Sequence, residues 1–141
     1  MDIMATTNLS NYDISKVPNG ADLKVGIVVS EWNDHITFGL LNGASETLAK
    51  HGVLKENIIL RYVPGTFELA LGAQQMYEQN PDLDGIICIG NVIRGETAHF
   101  DFVCQGATQG IMDVGLKFNK PTIFCVLTDD NEQRIDRSFR R

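Results

Sequence analysis

The stretch GIICIGNVIRGETAHF, residues 85–100, decides the fold. Residues 85–89 (GIICI) are apolar without alternation, which predicts a short strand buried on both faces of a sheet. Gly90 and Gly95 bracket a loop that carries Arg94. Thr97 then stands at or next to the start of a long helix predicted over residues 97–118. A fully apolar strand followed at once by a helix is the opening of a βαβ unit.

Working outward, the same alternation repeats. Residues 23–29 (LKVGIVV), 57–63 (NIILRYV) and 121–127 (PTIFCVL) predict three further strands. Residues 34–51 and 66–78 predict helices, the first with Gly52 as its C-cap, and residues 129–141 begin another. Four short apolar strands alternating with helices imply an α/β fold. It is a three-layer α/β/α sandwich with a four-stranded parallel sheet and right-handed crossovers. Residues 1–22 are polar, turn at Pro18-Asn19-Gly20, and read as an arm before one domain over residues 23–141.

Composition bounds the class. The chain has 141 residues, with 12 Lys and Arg against 18 Asp and Glu, a net charge of -6. That length suits a single domain with its own core. The acidic balance argues against a nucleic-acid partner, while leaving room for a local anion site. No apolar run approaches the ~20 residues of a membrane helix. The polar start lacks a signal pattern, so export is not expected and a cytoplasmic location is. Cys88, Cys104 and Cys125 show no CxxC spacing and read as buried, reduced thiols; no metal site is implied.

In a parallel sheet of this kind, ligands sit at the carboxyl ends of the strands. The first strand ends in SEWN, where Trp32 is either a packing aromatic or a flat surface for a planar ligand, with Asn33 beside it. The second ends in VPGTFE. Thr66 can cap the following helix, and Glu68 is either a macrodipole partner or a carboxylate for a hydroxyl-rich ligand. The third end sets Thr97 and free amides where an anion is favoured. His99, in the first turn, suits proton transfer near neutrality, although a histidine there is often structural.

The combination SEWN, VPGTFE, GNVIRGETAHFDFV and FCVLTDDN resembles the 6,7-dimethyl-8-ribityllumazine synthase family, over about residues 23–137. The resemblance implies a flavodoxin-like fold and the penultimate step of riboflavin synthesis. There, 5-amino-6-(D-ribitylamino)uracil condenses with 3,4-dihydroxy-2-butanone 4-phosphate, without metal or organic cofactor. It implies roles for particular residues. Trp32 would stack on the pyrimidine, with Asn33 and the backbone at Thr66 and Phe67 lining the pocket. Glu68 would bind ribityl hydroxyls, and the Val92 and Ile93 backbone would read the pyrimidine edge. Arg94, in the same motif, would bind substrate; Gly95, Glu96, Thr97 and Arg137 would hold phosphate. His99 would move protons, and Phe124 would close the pocket of a neighbouring subunit.

The resemblance further implies a homo-oligomer, a pentamer or a 60-mer shell, with active sites between subunits. The polar arm would add a strand to a neighbour's sheet, and riboflavin synthase is a further candidate partner. Relatives continue past the arginine through a Gly-rich turn into a final helix. Here Ser138 is followed by Phe139, Arg140 and Arg141, so the domain is expected to lack that helix and the lysine near the phosphate, with lower stability or activity. An impaired subunit that binds flavin-like ligands without turnover is the alternative. A phospho-receiver domain is disfavoured because the third strand ends in Gly90-Asn91 rather than an acidic acceptor. A nucleotide-binding domain is disfavoured because no Gly-rich phosphate loop follows the first strand.

Overall fold

The computed structural model describes residues 11–131. Four parallel strands form one sheet in the order β2-β1-β3-β4, where β1 is Val25–Ser30, β2 Ile58–Val63, β3 Gly85–Ile93 and β4 Thr122–Asp129. Three helices connect them: α1 Asp34–Lys50, α2 Leu69–Gln79 and α3 His99–Phe118. β1 is central and buried along its whole length. That position is why residues 25–29 (VGIVV) are apolar without alternation.

The alternation of side chains along each strand divides the core into two layers. Ile27, Val29 and Ile89 face Leu40, Leu41, Ala44 and Leu48 of α1. Val28, Ile86 and Cys88 face Leu69, Ala73, Met76 and Tyr77 of α2 and Ile111 and Val114 of α3. Helices therefore cover both faces, as the sequence implies. Burial pushes the Cys88 thiol up to about 12, so it stays protonated. Cys104 and Cys125 are only partly buried, against the expectation of three buried thiols.

The C-cap of α1 is His51, and Gly52, expected as the cap, is the left-handed residue just after it. The φ of Gly52 is 92°, its N–H donates to Ala49 O at 3.1 Å, and the Val53 N–H donates to Leu48 O at 3.0 Å. Both bonds satisfy carbonyls that the last turn leaves open, which is a Schellman motif. The arm is tied back to the same helix end. Gly20 N–H donates to His51 O at 2.7 Å, and the Tyr12 hydroxyl bonds His51 Nε2 at 2.9 Å. The hydrogen-bonded turn falls at residues 20–23 rather than at Pro18-Asn19-Gly20, through Leu23 N–H to Gly20 O at 3.0 Å.

Several boundaries differ from the sequence reading: β1 starts at Val25 rather than residue 23, and α2 starts at Leu69 because Thr66–Glu68 form a 3-10 turn. β3 runs on through Gly90, Asn91, Val92 and Ile93, where a loop was expected, because β4 pairs with it as far as Ile93↔Asp129. Asp129 accordingly closes a strand instead of opening a helix. α3 begins at His99 and not at Thr97, which lies in the bend before it. The rest of the expected last helix, Arg137, and residues 1–10 of the arm lie outside the described residues.

Gly90 is required by space. A Cβ there would stand 2.6 Å from Thr66 Oγ1 and 2.9 Å from Leu69 Cδ1. Gly90→Ala is expected to lower unfolding stability by about 1–3 kcal/mol through overpacking. Chemical denaturation checks this; an unchanged midpoint would contradict the packing.

Candidate active site

The site begins with a difference in strand length. β1 pairs with β3 only as far as Val29↔Ile89, while β3 continues to Ile93. Past Ser30 the chain leans toward β2, with Glu31 N–H to Val63 O at 2.8 Å and Trp32 N–H to Pro64 O at 3.0 Å. Asn33 then takes a left-handed turn, φ 61°, and α1 starts. Asparagine tolerates that conformation better than most residues. A notch is left beside the end of β3.

Inside the notch, the β1-side peptide groups of β3 have no strand to pair with. Thr66 takes up the first of them. Its hydroxyl accepts from Asn91 N–H at 3.0 Å and donates to Asn91 O at 3.0 Å. The sequence reading gave Thr66 a helix-capping role; the hydroxyl bridges to β3 instead, and Gly65 is the N-cap. Glu68 takes the local role, accepting from Gly65 N–H at 3.1 Å through one carboxylate oxygen.

The notch opens as a cleft of about 580 Å³. Its walls are aromatic. Trp32 is 66% exposed and lies against Gly65, where a Cβ would meet its ring at 2.6 Å. Phe67, from the turn after β2, lies over Gly106 of α3. Asn33, Thr66, Glu68, Val92, Ile93 and His99 also line the cleft, so eight of the expected site residues meet at one place. Asn91, Phe102 and Val103 line it too, without having been singled out as site residues from sequence.

The backbone of β3 divides its labour by parity. Arg94 N–H donates to Asp129 O at 2.9 Å, and Asn91 turns both its peptide groups to Thr66. Successive residues of a strand alternate sides, so Val92 faces β4 and Ile93 faces the notch. Of the two residues expected to read a ligand edge by backbone, only Ile93 has peptide groups on the open side.

Arg94, Gly95, Glu96, Thr97 and Phe124 stand outside the cleft. Arg94 folds back: its Nε donates to Asp130 at 3.1 Å, its Nη2 to Asp101 at 3.2 Å, and its guanidinium lies 4.4 Å over the Phe100 ring. The bond to Asp130 raises its pKa further above the ordinary arginine value. Gly95, Glu96 and Thr97 form the exposed bend before α3, where the Thr97 hydroxyl accepts from His99 N–H at 3.3 Å. Asp101 already occupies the first turn of that helix. Phe124 lies on β4, in a second depression of about 810 Å³ that shares Phe102 with the cleft. Among the described residues there is no cluster of three metal-ligating side chains, and no helix long and apolar enough to cross a membrane.

An aromatic wall can hold a planar ring, backbone groups and amides can read its edge, a carboxylate can bind hydroxyls, and an imidazole can move protons. Fold and cleft together are those of an α/β enzyme that works on small, polar, partly planar molecules. Comparison with known proteins narrows the class. The family model described as 6,7-dimethyl-8-ribityllumazine synthase matches residues 22–140. Curated proteins of that same name are similar along most of the chain. One from Flavobacterium psychrophilum is 56% identical over 136 residues, covering 95% of this chain and 71% of its own. One from Christiangramia forsetii is 54% identical over 138 residues, covering 96% and 82%. One from Parabacteroides distasonis is 50% identical over 135 residues, covering 94% and 84%. The chain belongs to the 6,7-dimethyl-8-ribityllumazine synthase family.

Replacing the bridging hydroxyl tests the construction of the site. Thr66→Val keeps the shape but strands two buried peptide groups of Asn91, which is expected to cost about 2 kcal/mol or more. Thr66→Ser is expected to retain most of that stability. Equal denaturation midpoints for the two variants would contradict the bridge.

Proposed function

We propose that the chain condenses 5-amino-6-(D-ribitylamino)uracil with 3,4-dihydroxy-2-butanone 4-phosphate, giving 6,7-dimethyl-8-ribityllumazine, inorganic phosphate and water. The observation that carries this reading is the cleft at the strand ends, where Trp32, Glu68 and His99 meet on three different segments. These are the positions at which the sequence resembles the family motifs.

The amine attacks the ketone and an imine forms with loss of water. Phosphate then leaves, and ring closure releases a second water. Trp32 and Phe67 hold the pyrimidine by stacking. Glu68 keeps one carboxylate oxygen for ribityl hydroxyls while the other caps Gly65. The Ile93 peptide reads the pyrimidine edge. His99 carries protons between the amine, the carbinol and the leaving phosphate. Holding both reactants side by side supplies much of the acceleration.

The phosphate clamp comprises Gly95, Glu96 and Thr97 in the bend before α3, together with Arg137. Arg94 stiffens that bend through Asp101 and Asp130 and contributes no free charge to the clamp. Active sites lie between subunits of a pentamer or a larger shell, with Phe124 closing a neighbour's cleft. The exposure of Phe102, Met112, Leu116, Ile123 and Phe124 supports such burial between copies. The arm adds a strand at a neighbour's open sheet edge. The protein works in the cytoplasm.

Mixing the purified chain with both substrates tests the reading; fluorescent lumazine is expected, and none would contradict it. His99→Ala is expected to lower kcat by about 10²–10⁴-fold with little change in substrate binding. An unchanged kcat would remove His99 from the mechanism. Sedimentation is expected to show a pentamer or larger, and only monomer would contradict the assembly.

A further inference from the structure

Asn91 lines the cleft floor and sits in a chain of amides that has a direction. Its Nδ2 donates to Leu127 O on β4 at 3.0 Å. A backbone carbonyl only accepts, so the NH2 of Asn91 must face β4. The Asn91 Oδ1 then faces the other way and accepts from Asn33 Nδ2 at 3.0 Å. Asn33 must therefore spend its NH2 on Asn91. Flipping either amide would set two acceptors or two donors against each other, leaving partly buried groups unpaired. The Asn33 side chain makes no bond to the first turn of α1, and among the described residues its Oδ1 accepts no hydrogen bond.

We infer that Asn91 is a positioning residue: through this relay it fixes the Asn33 amide so that Oδ1, an acceptor, is presented to the cleft. The site then selects a ligand edge with an N–H donor at that point and rejects a carbonyl oxygen there. A pyrimidinedione carries both kinds of edge, so the relay sets which way round the ring is seated. This rests on the proposed substrate. It adds to it a residue that never needs to touch the ring, and a polarity that the presence of Asn33 alone does not determine.

The test is a double-mutant cycle read in steady-state kinetics. Asn33→Gly removes the amide without straining the left-handed backbone, and Asn91→Ala removes the relay. Each is expected to raise KM for the pyrimidinedione about 3- to 10-fold, the effect of one neutral hydrogen bond. KM for the phosphorylated ketone and kcat are expected to stay within about twofold, reading as lost binding rather than lost chemistry. The double variant should be no worse than the poorer single one, because Asn91 acts only through Asn33. Multiplying effects would overturn the inference, since Asn91 would then bind ligand on its own. A fall of kcat and melting temperature together with a rise of both KM values would also overturn it, leaving a structural role alone. No turnover and no pyrimidinedione binding by the unaltered chain would overturn the proposed substrate and the relay's role with it. Should Asn91→Ala not fold, side-chain amide exchange of the unaltered protein decides. The Asn33 and Asn91 NH2 protons are expected to exchange more slowly than those of an exposed amide such as Asn42, and equal rates would overturn the relay.

Discussion

β1 stops at Ser30 while β3 runs on to Ile93, and the hydroxyl of Thr66 fills the ladder position this leaves open. Much else depends on that substitution of a side chain for a strand. Without the shorter central strand there would be no notch and no place for a ligand among the strand ends. Without the hydroxyl, the notch would expose buried peptide groups with nothing to satisfy them. Gly90 has no Cβ because Thr66 comes so close, and Gly65 N–H is capped by Glu68. The cleft is thus a consequence of how the sheet ends are paired, and its lining residues inherit fixed positions from the scaffold.

The same sheet ends separate two kinds of polarity. In the cleft, the polar groups are mostly neutral: amides, peptide groups and one carboxylate that is half engaged. Beyond β3, the charges are gathered in the triad of Arg94, Asp101 and Asp130. An arginine that reads from sequence as a ligand-binding cation is neutralised by two aspartates and stacked on Phe100. It joins β3, α3 and β4 at the point where each begins or ends, a structural task that sequence spacing alone does not reveal.

Much of the architecture was legible because burial leaves a plain trace. Residues 25–29 and 85–89 are apolar and β-branched since the sheet is covered on both faces, while the edge strand β2 leaves Arg61 and Tyr62 exposed, and Gly52 marks a left-handed helix end. What was not legible shares one cause. Gly90 and Asn91 look like turn residues, yet they continue β3, since tertiary partners supply what a local turn otherwise would. Thr66 looks like a cap and is a cross-sheet bridge. Thr97 looks like a helix start, and the helix begins at His99. Small polar residues serve local and distant partners equally well, so their local preference is a weak guide. Among the site residues, Trp32, Asn33, Thr66, Phe67, Glu68, Val92, Ile93 and His99 do converge, because motifs at strand ends are brought together by the parallel sheet itself. Asn91 was missed because its role lies in the direction of its hydrogen bonds.

The notch beside β1 is the proposed seat of the planar substrate. Trp32 is the sole tryptophan of the chain and forms one wall of that notch. Titrating the protein with 5-amino-6-(D-ribitylamino)uracil while following tryptophan emission tests that placement directly. Saturable quenching with one site per chain is the predicted result. Binding seen by calorimetry with no change in Trp32 emission would place the substrate elsewhere and contradict the account.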